Sequence, residues 1–178
     1  MKHVLVAVSL LLAGIPSCKP HSQETPQKPR YDAFSFEQEV RLPGTPEVIY
    51  DAISGDISGW WDHSFSNAPA KLYLDAKPGG GFFEIFNEQG DGALHATVIY
   101  AERGKLLRFD GPLGFSGKAI QLVCSYEFKP AGTDSTLLTL SVHGSGEVGE
   151  EVPKLVEGVW HHFLFERFKP YVESGKHL

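Results

Sequence analysis

The chain has 178 residues, the length of one ordinary domain with enough interior for a hydrophobic core. Its 42% hydrophobic and 21% charged residues are globular proportions, which argue against a wholly disordered chain and against a polytopic membrane protein. A formal net charge of −6 argues against nucleic acid as a partner, because phosphate binding needs a dense cationic surface.

The first eighteen residues have the pattern of a secretory signal. A short basic start is followed by the apolar stretch 4–13 and then by small and turn-forming residues up to Cys18. The apolar stretch is shorter than the roughly 20 residues that a membrane-spanning helix needs, and no second long apolar segment follows it. We therefore predict a signal peptide over residues 1–17.

Residues 15–18, Ile-Pro-Ser-Cys, resemble the bacterial lipobox, in which the cysteine becomes the lipidated first residue of the mature protein. Lipidation of Cys18 would anchor the protein to a membrane through its acyl chains. Pro16 departs from the small or aliphatic residue usual at its position. Cleavage by an ordinary signal peptidase, which gives a secreted soluble protein, is therefore the alternative to a cell-envelope lipoprotein on the periplasmic or outer-surface face.

Residues 18–32 combine prolines with Ser, Gln, Lys and Glu and lack an apolar period that a fold could bury. We predict a tether here and a single folded domain over residues 33–178. The chain has two cysteines, so lipidation of Cys18 leaves Cys124 without a disulfide partner. The domain then depends on its core for stability.

The folded part is predicted to open with a strand and a short helix. Residues 34–41 alternate between apolar and polar side chains, as a half-buried strand does. Thr45 is a suitable N-cap, Pro46 suits the first helical position, and a helical stripe follows. Turn residues then separate six predicted strands of an antiparallel meander. These strands are residues 71–76, 80–87, 93–102, 105–110, 120–129 and 135–143.

The end of the chain changes to a helical period over residues 150–173. Its apolar positions are Val152, Val156, Val159, Trp160, Phe163, Leu164, Phe168 and Tyr171. We predict a long C-terminal helix. Because Pro170 lies inside this pattern, we expect a kink or break near residues 168–171.

Three segments in this order resemble one protein superfamily. They are residues 42–52 leading to Trp60 and Trp61, the glycine turn 77–82, and Trp160 with residues 163–171. Together they are similar to the START-like or SRPBCC superfamily, and to its branch named after the activator of heat-shock-protein ATPase. The resemblance covers residues 34–174. It implies an α+β helix-grip fold, in which a curved antiparallel β-sheet grips a long C-terminal α-helix and a short helical segment follows the first strand.

The resemblance also implies a space between sheet and helix, and apolar concave spaces are the usual form of small-molecule sites. The superfamily includes lipid carriers, hormone receptors and aromatic polyketide cyclases, so the fold does not select a function. The candidate lining residues are Trp60, Trp61, Phe83, Ile85, His95, Cys124, Tyr126, Val159 and Phe163. Filling of an ordinary core is the alternative role for Trp60, Trp61, Phe83, Ile85, Cys124 and Tyr126.

Histidines and carboxylates invite a search for metal or acid–base chemistry. His161 and His162 are neighbours on the predicted helix and point about 100° apart, so they do not form the usual i, i+4 metal pair. We predict neither a metal site nor a cofactor. Glu84, His95 and Arg108 could meet in the interior as acid–base groups, and solvent-facing positions on separate strands are the alternative.

We therefore predict an envelope domain that binds a small hydrophobic molecule or lipid between sheet and helix, without covalent chemistry. A cyclase or hydratase using polar groups of the same cavity is one alternative. A protein-interaction domain is another, and the branch name suggests a chaperone partner. Export argues against a cytosolic heat-shock ATPase as that partner, because the two proteins would occupy different compartments.

Overall fold

The computed structural model describes residues 30–178. The predicted signal peptide, Cys18 and most of the predicted tether lie outside the described residues. The strands are β1 (Asp32–Pro43), β2 (Gly55–Asp56), β3 (Lys71–Leu74), β4 (Gly81–Ile85), β5 (Gly92–Glu102), β6 (Leu106–Gly111), β7 (Ile120–Pro130) and β8 (Ser135–Gly146). The helices are α1 (Pro46–Ile53), a 3₁₀ turn (Leu113–Phe115), α2 (Val152–His161), a π-helical segment (His162–Phe168) and α3 (Lys169–Glu173).

The strands of residues 30–178 form one antiparallel sheet in the order β1-β8-β7-β6-β5-β4-β3-β2. The sheet is curved and not closed, and a C-terminal helix of 22 residues accompanies it. The predicted α+β fold class is thus confirmed. The meander begins one strand earlier than expected, because Gly55 and Asp56 pair with Leu74 and Tyr73 as the short strand β2.

Side-chain alternation explains the inner face of the sheet. In β7, Ile120, Leu122, Cys124, Tyr126 and Phe128 are all buried, while the residues between them are mostly more exposed. Such a period of two places alternate side chains on opposite faces of a strand. The inner face packs against both α1 and the C-terminal helix in one hydrophobic core.

The short helix α1 begins as the sequence predicts, with Pro46 in its first turn. Thr45 occupies the N-cap position, but its side chain makes no capping hydrogen bond. Ile49 and Ile53 are fully buried on the face that meets the core. The helix therefore contributes a packed face to the core.

The C-terminal helix runs without interruption from α2 through the π-helical segment to α3. Its irregularity is the π-helical segment, which lies mostly N-terminal to the expected kink or break near residues 168–171 and meets it at Phe168. Pro170 lacks an N–H group, and its ring crowds the carbonyl group of residue i−4, which is Glu166. Glu166 lies in the π-helical segment, where the wider backbone turn changes the hydrogen-bond spacing.

Within residues 30–178, none of the helices combines the length and the apolar character that crossing a membrane requires.

Candidate functional site

A cavity of about 300 Å³ lies between the inner face of the sheet and the C-terminal helix. The 57–70 loop, which joins β2 to β3, and the 3₁₀ turn after β6 complete its wall. Its lining residues are Trp61, His63, Ser64, Phe65, Phe82, His95, Leu113, Gly114, Phe115, Leu122, Leu155, Val156, Val159, Trp160 and Phe163. Most of these side chains are aromatic or aliphatic, so the wall suits an apolar molecule.

The two neighbouring tryptophans of the 57–70 loop have different environments. The backbone N–H groups of both donate to the carbonyl oxygen of Ile57, which forms a tight turn. Trp61 then stacks on Phe163, with ring centroids 3.7 Å apart and planes 15° apart. Trp60 packs instead against Phe168 in the core, 4.9 Å between centroids. Of the two tryptophans, Trp61 alone lines the cavity, and it connects the loop to the C-terminal helix.

Glu84 and His95 form a buried pair behind the cavity wall. Glu84 has no exposed surface and His95 is 6% exposed. The Nε2 of His95 lies 2.9 Å from Oε2 of Glu84, and it donates because an ionised carboxylate only accepts. The carboxylate also accepts from the backbone N–H of Phe65, at 2.9 Å, and of Ser66, at 2.7 Å. Glu84 thus attaches the 57–70 loop to the sheet.

The electrostatics of Glu84 follow from these contacts. Burial raises the pKa of Glu84, but the hydrogen bonds from Phe65, Ser66 and His95 favour the charged form more strongly. The net result is a pKa below the ordinary value of the carboxyl group. Glu84 is therefore a charged anchor at neutral pH rather than a proton donor.

A β-bulge places His95 in this position. The pairing of β4 with β5 shifts so that Phe82 faces Ala96 while Phe83 faces Leu94. His95 is the extra residue, and it is buried together with its neighbour Ala96. The sequence pattern instead groups His95 with Thr97 and Ile99, of which Ile99 is exposed.

Apolar side chains and a strained residue surround the mouth of the cavity. Phe65 is 48% exposed and Leu155 is 55% exposed, although both are lining residues. Leu113 has a φ of 48°, a left-handed conformation that is unfavourable for a branched side chain. Its carbonyl oxygen lies 3.4 Å from Nδ1 of His95. The turn after β6 therefore lies against the buried pair and the cavity.

A polar cluster occupies one side of the mouth. Asp62 Oδ1 lies 2.9 Å from Nδ1 of His63 and 3.1 Å from Nε2 of His162. Nδ1 of His162 lies 2.8 Å from Glu166, and Nε of Arg167 lies 3.1 Å from Asp62 Oδ2. Hydrogen bonds to Glu166 first, and then to Asp62, raise the pKa of His162. Burial raises the pKa of Asp62, but its two histidine partners and Arg167 produce a net lowering.

The structure brings four of the nine predicted lining residues to the cavity: Trp61, His95, Val159 and Phe163. Trp60, Cys124 and Tyr126 are buried but pack in the core outside the lining, and the alternation of β7 predicts the inward direction of Cys124 and Tyr126. Burial raises the pKa of the Cys124 thiol and of the Tyr126 hydroxyl. These two groups are therefore neutral core side chains.

The placement of Phe83 and Ile85 at the cavity is wrong. Phe82 and Glu84 take the inner face of β4, so Phe83 and Ile85 face outward. Arg108 is also on the outer face of the sheet, where it donates to the Ser125 hydroxyl group at 2.7 Å. Of the proposed acid–base trio, the structure brings together only Glu84 and His95.

Several lining residues were missed by sequence reasoning. Trp160 shares the helical stripe of Val156, Val159 and Phe163, so the helical period contains the signal that identifies it. Phe65 and Leu113 lie in irregular segments, where no period indicates their direction. The Asp62 cluster joins the 57–70 loop to the C-terminal helix, across 100 positions between Asp62 and His162.

Several solved structures share this fold. A protein of unknown function from Staphylococcus aureus is 14% identical, with a TM-score of 0.56 over 83% of this chain and 98% of that chain. A conserved protein of unknown function from Enterococcus faecalis is 15% identical, with a TM-score of 0.56 over 79% and 71% of the two chains. A protein from Mesorhizobium loti is 19% identical, with a TM-score of 0.55 over 79% and 98%. At these identities the likeness shows the fold alone.

No family model matches the sequence. No curated protein matches it either.

Proposed function

We propose that this chain is an exported START-like domain that binds one small, mostly apolar molecule between its sheet and its C-terminal helix, without covalent chemistry. The observation that carries the proposal is the cavity with its aromatic and aliphatic lining. Its volume, about 300 Å³, lies at the lower end of the range for small-molecule sites. A compact ring system or a short acyl chain fits that volume better than a complete phospholipid.

The few polar groups of the lining determine how such a molecule is oriented. His95 has one ring nitrogen on Glu84 and the other facing the carbonyl oxygen of Leu113, so it offers mainly its ring to the cavity. His63 and Ser64 are exposed lining residues of the 57–70 loop. The proposed ligand therefore places its apolar part against Trp61, Trp160 and Phe163, and its polar end toward the mouth.

The proposed location is the cell envelope, with Cys18 as the lipid anchor. Its support is the signal-like sequence before Cys18 and the proline-containing tether after it. A tethered domain with a ligand cavity suits the capture or transfer of apolar molecules close to a membrane. A secreted domain with the same cavity is the alternative, because Pro16 departs from the usual lipobox.

An acid–base enzyme acting in the same cavity is the second candidate, and the buried Glu84–His95 pair is the observation behind it. Two features favour the binding function over this one. Glu84 is occupied by two backbone N–H groups as well as by His95. Arg108, the third group of the predicted trio, is on the outer face.

Native mass spectrometry of the protein, purified gently from the envelope of its own host, tests the binding function. We expect a stoichiometric apolar molecule that is released on denaturation and recovered in an organic extract. An empty protein that also binds neither fatty acids nor aromatic probes would contradict the proposal.

A substitution that fills the cavity gives a second test. Val159→Trp places a large ring in the cavity and should weaken binding of an anilinonaphthalene probe at least tenfold. Val123→Trp makes the same change on the outer face of β7 and should leave probe binding unchanged. Equal effects of the two substitutions would show that the probe binds elsewhere.

A further inference from the structure

Of the cluster of Asp62, His63 and His162, only His63 lines the cavity, and the proposed binding of an apolar molecule gives Asp62 and His162 no role. One ligand atom from each of these residues lies within 4.8 Å of the other two. The side chains remain accessible, with 33%, 54% and 29% of their surfaces exposed. Two imidazoles and one carboxylate are donors that divalent transition metals prefer.

The distances fit a small metal ion at the centre of the cluster. In a tetrahedral zinc site with ligand bonds of about 2.0–2.1 Å, the ligand atoms lie about 3.4 Å from one another. Asp62 Oδ1 lies 2.9 Å from Nδ1 of His63 and 3.1 Å from Nε2 of His162. The donor atoms of the two imidazoles lie within 4.8 Å of each other, so side-chain rotations can bring all three donors to the separations of a metal site.

The neighbours of the cluster support the same arrangement. Glu166 binds Nδ1 of His162 at 2.8 Å and leaves Nε2 directed at Asp62. A carboxylate on the second nitrogen of a metal-binding histidine fixes the orientation of the ring and strengthens the ligand. Arg167 contacts Oδ2 of Asp62, so it leaves Oδ1 for an ion.

We propose that Asp62, His63 and His162 bind one divalent first-row transition-metal ion at the mouth of the cavity, with Glu166 as the positioning residue for His162. Three protein ligands leave at least one coordination position for water, as in open metal sites. His63 also lines the cavity, so this open position lies beside the space for the ligand. On the proposed function, a carboxylate or hydroxyl end of the bound molecule would replace that water.

Calorimetric titration of the full-length chain without a polyhistidine tag, using Zn²⁺ alone after treatment with a chelator, tests the site. We expect one ion per chain. Asp62→Asn, His63→Ala and His162→Ala should each weaken binding at least tenfold. His161→Ala, the neighbouring histidine outside the cluster, is the matched control and should leave the affinity unchanged.

Glu166→Gln separates a positioning role from mere stabilisation of the helix. It should weaken Zn²⁺ binding by about 10- to 100-fold, the usual cost of losing such a partner. Its thermal unfolding should stay within a few degrees of the wild-type protein. Co²⁺ alone should give visible absorption bands that His162→Ala abolishes and His161→Ala retains.

Absence of stoichiometric Zn²⁺ binding would overturn the metal proposal, as would equal losses in the His161→Ala and His162→Ala variants. Binding of an anilinonaphthalene probe to the metal-free protein is measured separately. A protein that binds the probe but no metal keeps the proposed function and loses the metal site. A protein that binds metal but no probe keeps the metal site and loses the proposed function.

Discussion

Glu84 illustrates how one buried carboxylate organises this site. Its charge is satisfied by the backbone N–H groups of Phe65 and Ser66 and by the imidazole of His95. Hydrogen bonds to a charged acceptor are stronger than those between neutral groups, and a buried charge without partners is costly. The 57–70 loop therefore depends on this residue for its position on the sheet.

Replacing Glu84 with Gln should lower the free energy of unfolding by about 2–4 kcal/mol. The amide keeps one acceptor oxygen, but its NH₂ group meets a backbone donor. Denaturant unfolding at pH 7 measures the change. Glu127→Gln, at an exposed carboxylate paired with Lys129, is the control and should change the free energy by less than about 0.5 kcal/mol.

The effect of Glu84→Gln should also depend on pH in one direction. Because the folded-state pKa of Glu84 lies below its unfolded value, the charged group stabilises the fold fully above about pH 4.5. This stabilisation disappears as the pH falls through the folded-state pKa. The difference between wild type and Glu84→Gln should therefore shrink on acidification, and a constant difference from pH 7 to pH 3 would contradict the assignment.

The contribution of His162 to stability should change with pH in the opposite direction. Its pKa is raised by Glu166 and Asp62, so the protonated ring stabilises the fold below about pH 6.5 and loses this effect as the pH rises through the folded-state pKa. With a chelator present, the stability advantage of wild type over His162→Gln should fall between pH 6 and pH 9. Glu166→Gln removes the main partner and should remove most of this dependence.

At the scale of elements, the contact between Trp61 and Phe163 joins the 57–70 loop to the C-terminal helix. Phe163→Ala should lower the free energy of unfolding by about 3–5 kcal/mol, because it deletes a buried ring and with it the stacking contact to Trp61. Hydrogen exchange of the loop should increase at the same time. Phe165→Ala removes a partly buried ring on the same helix, so its effects on both measurements should be much smaller.

The order of the elements could be predicted from the sequence because their periods are clear. The five inward residues of β7 alternate strictly, and the C-terminal stripe recurs every three or four residues. In β4 the alternation is ambiguous, since Phe82, Phe83 and Ile85 supply apolar side chains to both faces. A charged Glu84 suggests that its face is solvated, yet two backbone N–H groups of a distant loop stabilise it inside.

The candidate site was less predictable than the fold because loops build much of it. No local pattern shows that the Phe65 N–H reaches Glu84, or that a bulge turns His95 inward. The cluster of Asp62, His63 and His162 was unpredictable for the same reason, since its histidines come from the 57–70 loop and the C-terminal helix. Helix periodicity does indicate Val159, Trp160 and Phe163, which the structure places in the lining.

At the scale of the whole molecule, β1 and β2 are the two edges of the open sheet. The described chain begins with Arg30, which lies beside β1 and pairs with Asp32 and Glu150. Asp32 falls within the predicted tether but already belongs to β1, paired with Gly146 of β8. Among the described residues the first strand thus begins at Asp32, the last residue of the predicted tether.

The burial of Cys124 offers a way to count thiols in the intact molecule. Its side chain has no exposed surface, so a thiol reagent cannot reach it in the folded protein. Burial also raises the pKa of the thiol, so the reactive thiolate does not form at neutral pH. In the native protein, any rapidly reacting thiol is therefore Cys18. If Cys18 is lipidated as proposed, protein taken from host membranes should show no reactive thiol when native and one per chain in denaturant.

One reactive thiol in the native protein and two in denaturant would contradict lipidation of Cys18. Removal of Cys18 with the signal gives the same count as lipidation, so the mass of the N-terminal peptide must separate these two outcomes. Cys124 serves as the internal standard in each case, because its thiol reacts only after unfolding. A shielded core side chain thus makes this two-cysteine protein a reporter of how its own N-terminus was processed.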